Sequence, residues 1–179
     1  MKNIMRNFFI FLVIILFVPI KSYGLIEVDI TRGNLNPLPV AVSPLSIDEK
    51  SKKSFEGLLK KKNIGEEISS IVENNLRTSG LFNPLSKDAF LQAPDIANLK
   101  PRFEDWNLIK AQALITGKVT VAEGKLRVEF RLWDILAGKE MMALAFTTVS
   151  SNWRRVGHII SDKVYERLTG EKGYFDTRI

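Results

Sequence analysis

Residues 113–149 read ALITGKVTVAEGKLRVEFRLWDILAGKEMMALAFTTV, and the alternation within them decides the fold class. Leu126, Val128, Phe130 and Leu132 alternate strictly with Arg127, Glu129 and Arg131, the period of two that a strand with one buried face requires. Ala113, Ile115, Val119 and Val121 alternate in the run before it. Glu123-Gly124-Lys125 makes a tight turn between the two, and Ala137-Gly138-Lys139 turns the chain again into a third strand, Met141 to Val149. A three-stranded antiparallel meander with one apolar face needs helices to cover that face.

Two segments offer such a cover. Ile64, Ile68, Ile71, Val72 and Leu76 lie on one helical face, Asn63 with Glu66 forms a capping pair, and Gly80 supplies the stop. Trp153, Val156, Ile160, Val164 and Leu168 recur at steps of three and four, with Asn152 as the expected cap and Gly170 as the stop. The fold class that follows is α+β: an antiparallel or mixed β-sheet with two long helices packed on one face.

The connecting segments are read around that frame. Leu38-Pro39-Val40-Ala41-Val42 suits a further strand, with Pro39 at its start or on an edge. Residues 46–62 are polar and lysine-rich and read as a surface loop with room for one helical turn. Leu81–Leu85 is extended, Ser86 can cap a short helix, Ala93–Pro101 reads as irregular, and Phe103–Lys110 as a short helix facing inward through Phe103, Trp106 and Leu108 or Ile109.

At the start of the chain, Lys2 and Arg6 precede an uncharged stretch with the core FFIFLVIILFV, then Pro19 and Ser22-Tyr23-Gly24. This is the order of a secretory signal, and the apolar core of about a dozen residues is short of the roughly 20 that a spanning helix needs. Residues 1–24 are therefore expected to be cleaved, and residues 25–170 to form one domain. Removing Lys2, Arg6 and Lys21 lowers Lys+Arg from 26 to 23 against 20 acids, so the net charge falls from +6 to +3. Six lysines (50, 52, 53, 60, 61 and 62) against Asp48, Glu49 and Glu56 account for that whole excess. The remainder is near neutral, which argues against the broad basic face of a nucleic-acid binder.

Enzyme chemistry finds little to work with. There is no cysteine and a single histidine, His158, so neither a thiolate zinc site nor a histidine-rich metal site can form. His158 and Asp162 stand at helical spacing, but no nucleophile motif accompanies them, and a structural role is the simpler reading. The acidic pairs Glu66-Glu67 and Glu104-Asp105 point apart on their helices and read as solvent-facing charges. Glycines are scattered singly, with no phosphate-binding loop. The sequence points to no cofactor, metal or small-molecule substrate.

Two segments invite a partner. Leu25, Ile26, Glu27, Val28, Asp29, Ile30, Thr31 and Arg32 alternate apolar with acidic or polar residues at the terminus that signal cleavage would create. Such a segment is either an edge strand of its own domain or a strand donated to another sheet's edge. The lysine-rich run 50–62 offers an alternative function, binding to an anionic surface.

Several stretches together resemble the amino-terminal domain of TolB proteins. They are LIEVDI, LPVAV, NNLRTSGLFNPL, RFEDWNLIKAQALITGKV, KLRVEFRLWDILAGKE and the tail NWRRVGHIISDKVYERLTGEKGYFDTRI, in order across residues 25–179, with the poorest match at 46–62. The resemblance implies a periplasmic, non-enzymatic component of the Tol-Pal envelope complex, which supports outer-membrane integrity and constriction during cell division. It implies that Leu25–Arg32 bind the C-terminal domain of TolA. It also implies that Pal is bound by a β-propeller absent from this chain, with residues 171–179 the start of the linker or first strand leading to it.

Overall fold

The computed structural model describes residues 36–59 and 63–177. Its elements run β1 (Leu38–Val42), β2 (Ser46–Ile47), α1 (Glu49–Leu59), α2 (Ile64–Thr78), β3 (Phe82–Pro84), α3 (Pro94–Leu99), α4 (Phe103–Leu108), β4 (Ala113–Ala122), β5 (Lys125–Asp134), β6 (Lys139–Val149) and α5 (Trp153–Thr169). The sheet order is β3-β1-β4-β5-β6, with β2 beside the far end of β4. β1 is parallel to both β3 and β4, whereas β4, β5 and β6 form the antiparallel meander, so the sheet is mixed. Glu123 and Gly124 both take positive φ (52° and 71°) between Ala122 and its partner Lys125, the geometry of a two-residue hairpin turn.

α2 and α5 cover one face together. Ile64, Ile68, Val72 and Leu76 from α2 and Trp153, Val156, Ile160, Val164 and Leu168 from α5 are buried against Val40, Ile115, Val128, Phe130 and Leu132. Burying side chains of this size contributes about 1.5–3 kcal/mol each, and this cluster dominates the fold's stability. The helices touch closely at Gly157, where an added Cβ would lie 2.8 Å from Ile71 Cγ2. Asn75 ties them with polar contacts, its Nδ2 lying 2.9 Å from His158 Nδ1 and donating to Ser161 Oγ at 2.9 Å. The capping pair at α2 forms as read: Glu66 N donates to Asn63 Oδ1, and Asn63 Nδ2 to Glu66 Oε2.

The opposite face carries a second, smaller core that the sequence reading did not anticipate. Ala41, Trp106, Ala111, Leu114, Trp133 and Ile135 are buried there, with Leu85, Phe90, Phe103 and Ile109 packed around them. Trp106 is inward as expected, but Leu108 is 72% exposed, so Ile109 is the inward member of that pair.

Three local readings are corrected, and of the two places read for Pro39, start or edge, the structure gives the start. Residues 46–59 are a short strand and an 11-residue helix rather than a loop. Asp48 starts that helix by accepting from Ser51 N (2.9 Å) and Ser51 Oγ (3.0 Å), and the buried Ser51 Oγ in turn accepts from Val121 N of β4 (3.0 Å). Within Ala93–Pro101, Pro94 opens α3 at the first helical position, where its missing N–H costs nothing. Pro39 is in an interior strand: its carbonyl accepts from Gln112 N, and the β1–β4 ladder begins one residue on, at Val40 opposite Ala113. Its nitrogen therefore faces β4 before pairing starts, which is how proline fits a strand flanked on both sides. Asn152 occupies the cap position of α5 without a side-chain cap bond; its Nδ2 donates instead to Thr148 Oγ1.

Candidate partner-binding site

The expected partner strand, Leu25–Arg32, lies outside the described residues, and so do Lys60, Lys61 and Lys62 of the lysine-rich run. What the structure does define is the place where that strand's connection enters the domain. Asn36 and Pro37 lead directly into β1, which is hydrogen-bonded on both flanks from its first residues: Leu38 N donates to Leu81 O, and Pro39 O accepts from Gln112 N. β3 begins opposite Leu38 and β4 opposite Val40. A straight upstream continuation of β1 thus passes the end of the sheet, where neither neighbour continues as a strand alongside it. Proline at 37 and 39 removes two donors from this entrance.

The sheet's two edges differ in what they offer. β3 has three residues, whereas β6 has eleven, with no strand on its outer side among the described residues. The first part of the β6 edge is blunted. A register shift leaves Met141 as an extra residue between the partners of Leu132 and Trp133, and Arg167 Nε of α5 lies 3.4 Å from the Met141 carbonyl. Beside β6, on the face away from α2 and α5, an open groove of about 190 Å³ is lined by Arg127, Glu129, Arg131, Ala143 and Ala145. Its charges are internally compensated: Arg127 pairs with Glu129 at 2.8 Å and Arg131 with Glu140 at 3.2 Å.

The other sequence candidates resolve into structural roles. His158 faces Asn75, and Asp162 is not its partner: the Asp162 carboxylate accepts from the backbone N–H groups of Phe175 (2.7 Å) and Asp176 (3.1 Å). Sequence reasoning missed this because the tail that uses Asp162 is contiguous in space, not in helical spacing. Asp105 is also more than a solvent-facing charge. Gln92 Nε2 (2.9 Å) and the Arg102 guanidinium (2.6 Å) donate to it and hold its carboxyl below the usual carboxylate range. Of the lysine run, Lys50 and Lys53 are exposed, and Lys52 stands 3.8 Å from Glu49. Among the described residues, no three His, Cys, Asp or Glu side chains are grouped to hold a metal ion, and no helix is long and apolar enough to cross a membrane.

The Tol-Pal system protein TolB of Pelagibacter ubique (strain HTCC1062) is 78% identical over 176 residues, which make up 98% of this chain and 39% of that protein. The chain therefore spans well under half the length of that relative. The crystal structure of TolB from Acinetobacter baumannii superposes with a TM-score of 0.62 over 78% of this chain and 30% of that one; at 23% identity this is a likeness of fold. The model of the TolB amino-terminal domain matches residues 26–141, and the chain belongs to that family.

Proposed function

We propose that this chain is the partner-recruiting unit of a periplasmic Tol-Pal component. It binds the C-terminal domain of TolA by strand addition through Leu25–Arg32, supporting outer-membrane integrity and constriction. The observation that carries this reading is the entrance to β1. Both flanks of β1 are hydrogen-bonded from its first residues, so a straight upstream extension of β1 would find no neighbouring strand of the described sheet. A strand-forming sequence next to such an entrance suits donation to another protein's sheet, where main-chain bonds give affinity and alternate side chains give specificity. The domain acts in this reading as a rigid holder, without catalysis of its own. Pal binding belongs to the additional length of the longer relatives and is not expected of these residues alone.

The test is deletion of residues 25–32 from the exported protein. Capture of the TolA C-terminal domain should be lost while circular dichroism and the thermal midpoint stay those of the parent. Undiminished capture by a correctly folded deletion variant overturns the proposal.

A further inference from the structure

Arg155, Asp162 and Thr169 recur at seven-residue steps along α5 and so share one face, with Tyr165 between them. Each holds part of the segment that follows the helix. Gly170 reverses the chain with φ of 76°, and Glu171 N then donates to Thr169 Oγ1 at 3.1 Å. Phe175 N and Asp176 N both donate to the Asp162 carboxylate, and Arg155 closes on Asp176 through Nε–Oδ1 (3.0 Å) and Nη2–Oδ2 (3.1 Å). Between those points, Gly173 presses against the helix so closely that a Cβ there would lie 2.4 Å from Asp162 Cα. Tyr165 packs edge-on against Tyr174 (5.5 Å) and Phe175 (5.8 Å).

These contacts fasten the segment at Asp162. From Gly170 back to Asp162 is about 12 Å along the helix at 1.5 Å per residue. The six residues from Gly170 to Asp176 reach about 20 Å when extended. The segment therefore bends, at Phe175 and Asp176, rather than running straight, and the long Arg155 side chain meets it at Asp176.

We propose that Glu171–Asp176 is a fixed strap that turns the chain back along α5 and passes it on at Thr177, beside Arg155, in one set direction. Thr177 is thereby held by α5 rather than hung from a free tether at Gly170. This inference does not depend on TolA binding.

The chain lacks cysteine, so Asn74→Cys on the exposed side of α2 and Thr177→Cys give two unique positions for spin labels. Pulsed dipolar spectroscopy on this double variant should give one narrow distance distribution, and the Phe175 and Asp176 amides should exchange slowly. Adding Asp162→Ala with Arg155→Ala should broaden the distribution and speed exchange on the order of tenfold or more. Gly173→Val, which cannot seat on Asp162 and leaves α5 unaltered, should act the same way and serves if the first variant is poorly folded. A broad distribution in the parent, or a narrow one that survives Gly173→Val, overturns the proposal.

Discussion

The two faces of the sheet are built by different means. Under α2 and α5 the contacts are almost wholly apolar and come from two long helices whose buried residues repeat every turn. On the opposite face, short helices and connections are fastened by individual polar bonds. Gln92 Nε2 donates to the Arg102 carbonyl and to Asp105, Gln92 Oε1 accepts from Arg102 N, and Trp133 Nε1 donates to Thr116 Oγ1 at 2.9 Å. The first construction spreads stability over many weak, exchangeable contacts. The second adds to a smaller apolar core a few polar bonds whose atoms are each costly to orphan.

The largest way to test that contrast is a cavity in the helical face. Ile160→Ala removes a side chain that is 1% exposed and should cost about 2–5 kcal/mol in chemical denaturation. Ile96→Ala on α3 deletes the same atoms from a site that is 49% exposed, and should stay within about 0.5 kcal/mol of the parent. Equal losses in the two variants would mean that the outer face is as tightly packed as the helical one.

Gln92 gives the next effect in size. It is 5% exposed and serves three partners at once, so Gln92→Leu keeps the volume but strands the Arg102 N–H and one acceptor. A loss of about 1–3 kcal/mol is expected, concentrated in the 86–110 connection, where hydrogen exchange should accelerate while amides of α5 stay protected. Uniform acceleration across both faces would show that this residue does not act locally.

The same contrast explains what the sequence discloses. Periodicity exposes structure stabilised by repeating apolar burial, so the meander and both long helices were legible down to Asn63, Gly80 and Gly170 at their ends. It is silent where one polar atom does the fastening. Ser51, buried through its bonds to Asp48 and Val121 N, anchors α1 and looks in sequence like any loop serine. Helical spacing offers His158 as the one visible neighbour of Asp162, whereas the partners of Asp162 are two amides thirteen and fourteen residues on. Pro94 did carry a legible signal, since proline opens helices, but a six-residue helix has too few turns for its periodicity to register. The interior position of β1 depends on parallel pairing with strands 44 and 73 residues away, at Phe82 opposite Leu38 and Ala113 opposite Val40, which no local pattern encodes.

The smallest expected effect is the pH dependence of the polar fastenings. Asp48 lies below its ordinary value of 3.8, first because the Ser51 backbone N–H donates to it and then through the Ser51 hydroxyl. Asp105 is depressed likewise, first by Gln92 and then by Arg102. A carboxylate whose folded pKa is depressed binds fewer protons folded than unfolded at the same pH. Its stabilising contribution is therefore complete above the ordinary carboxylate value and is lost as pH falls through the folded one. Both groups are solvent-accessible, so each contribution is screened and modest. Denaturation midpoints should be flat from neutrality down to about pH 5 and then decline. In Gln92→Leu the Asp105 pKa should move up toward its ordinary value, making the acid-side decline shallower, whereas Ile160→Ala should lower the whole curve without changing its shape. Parallel curves for parent and Gln92→Leu would show that the polar bonds of the outer face do not contribute to its pH response, and with that the distinction between the two faces would rest on packing alone.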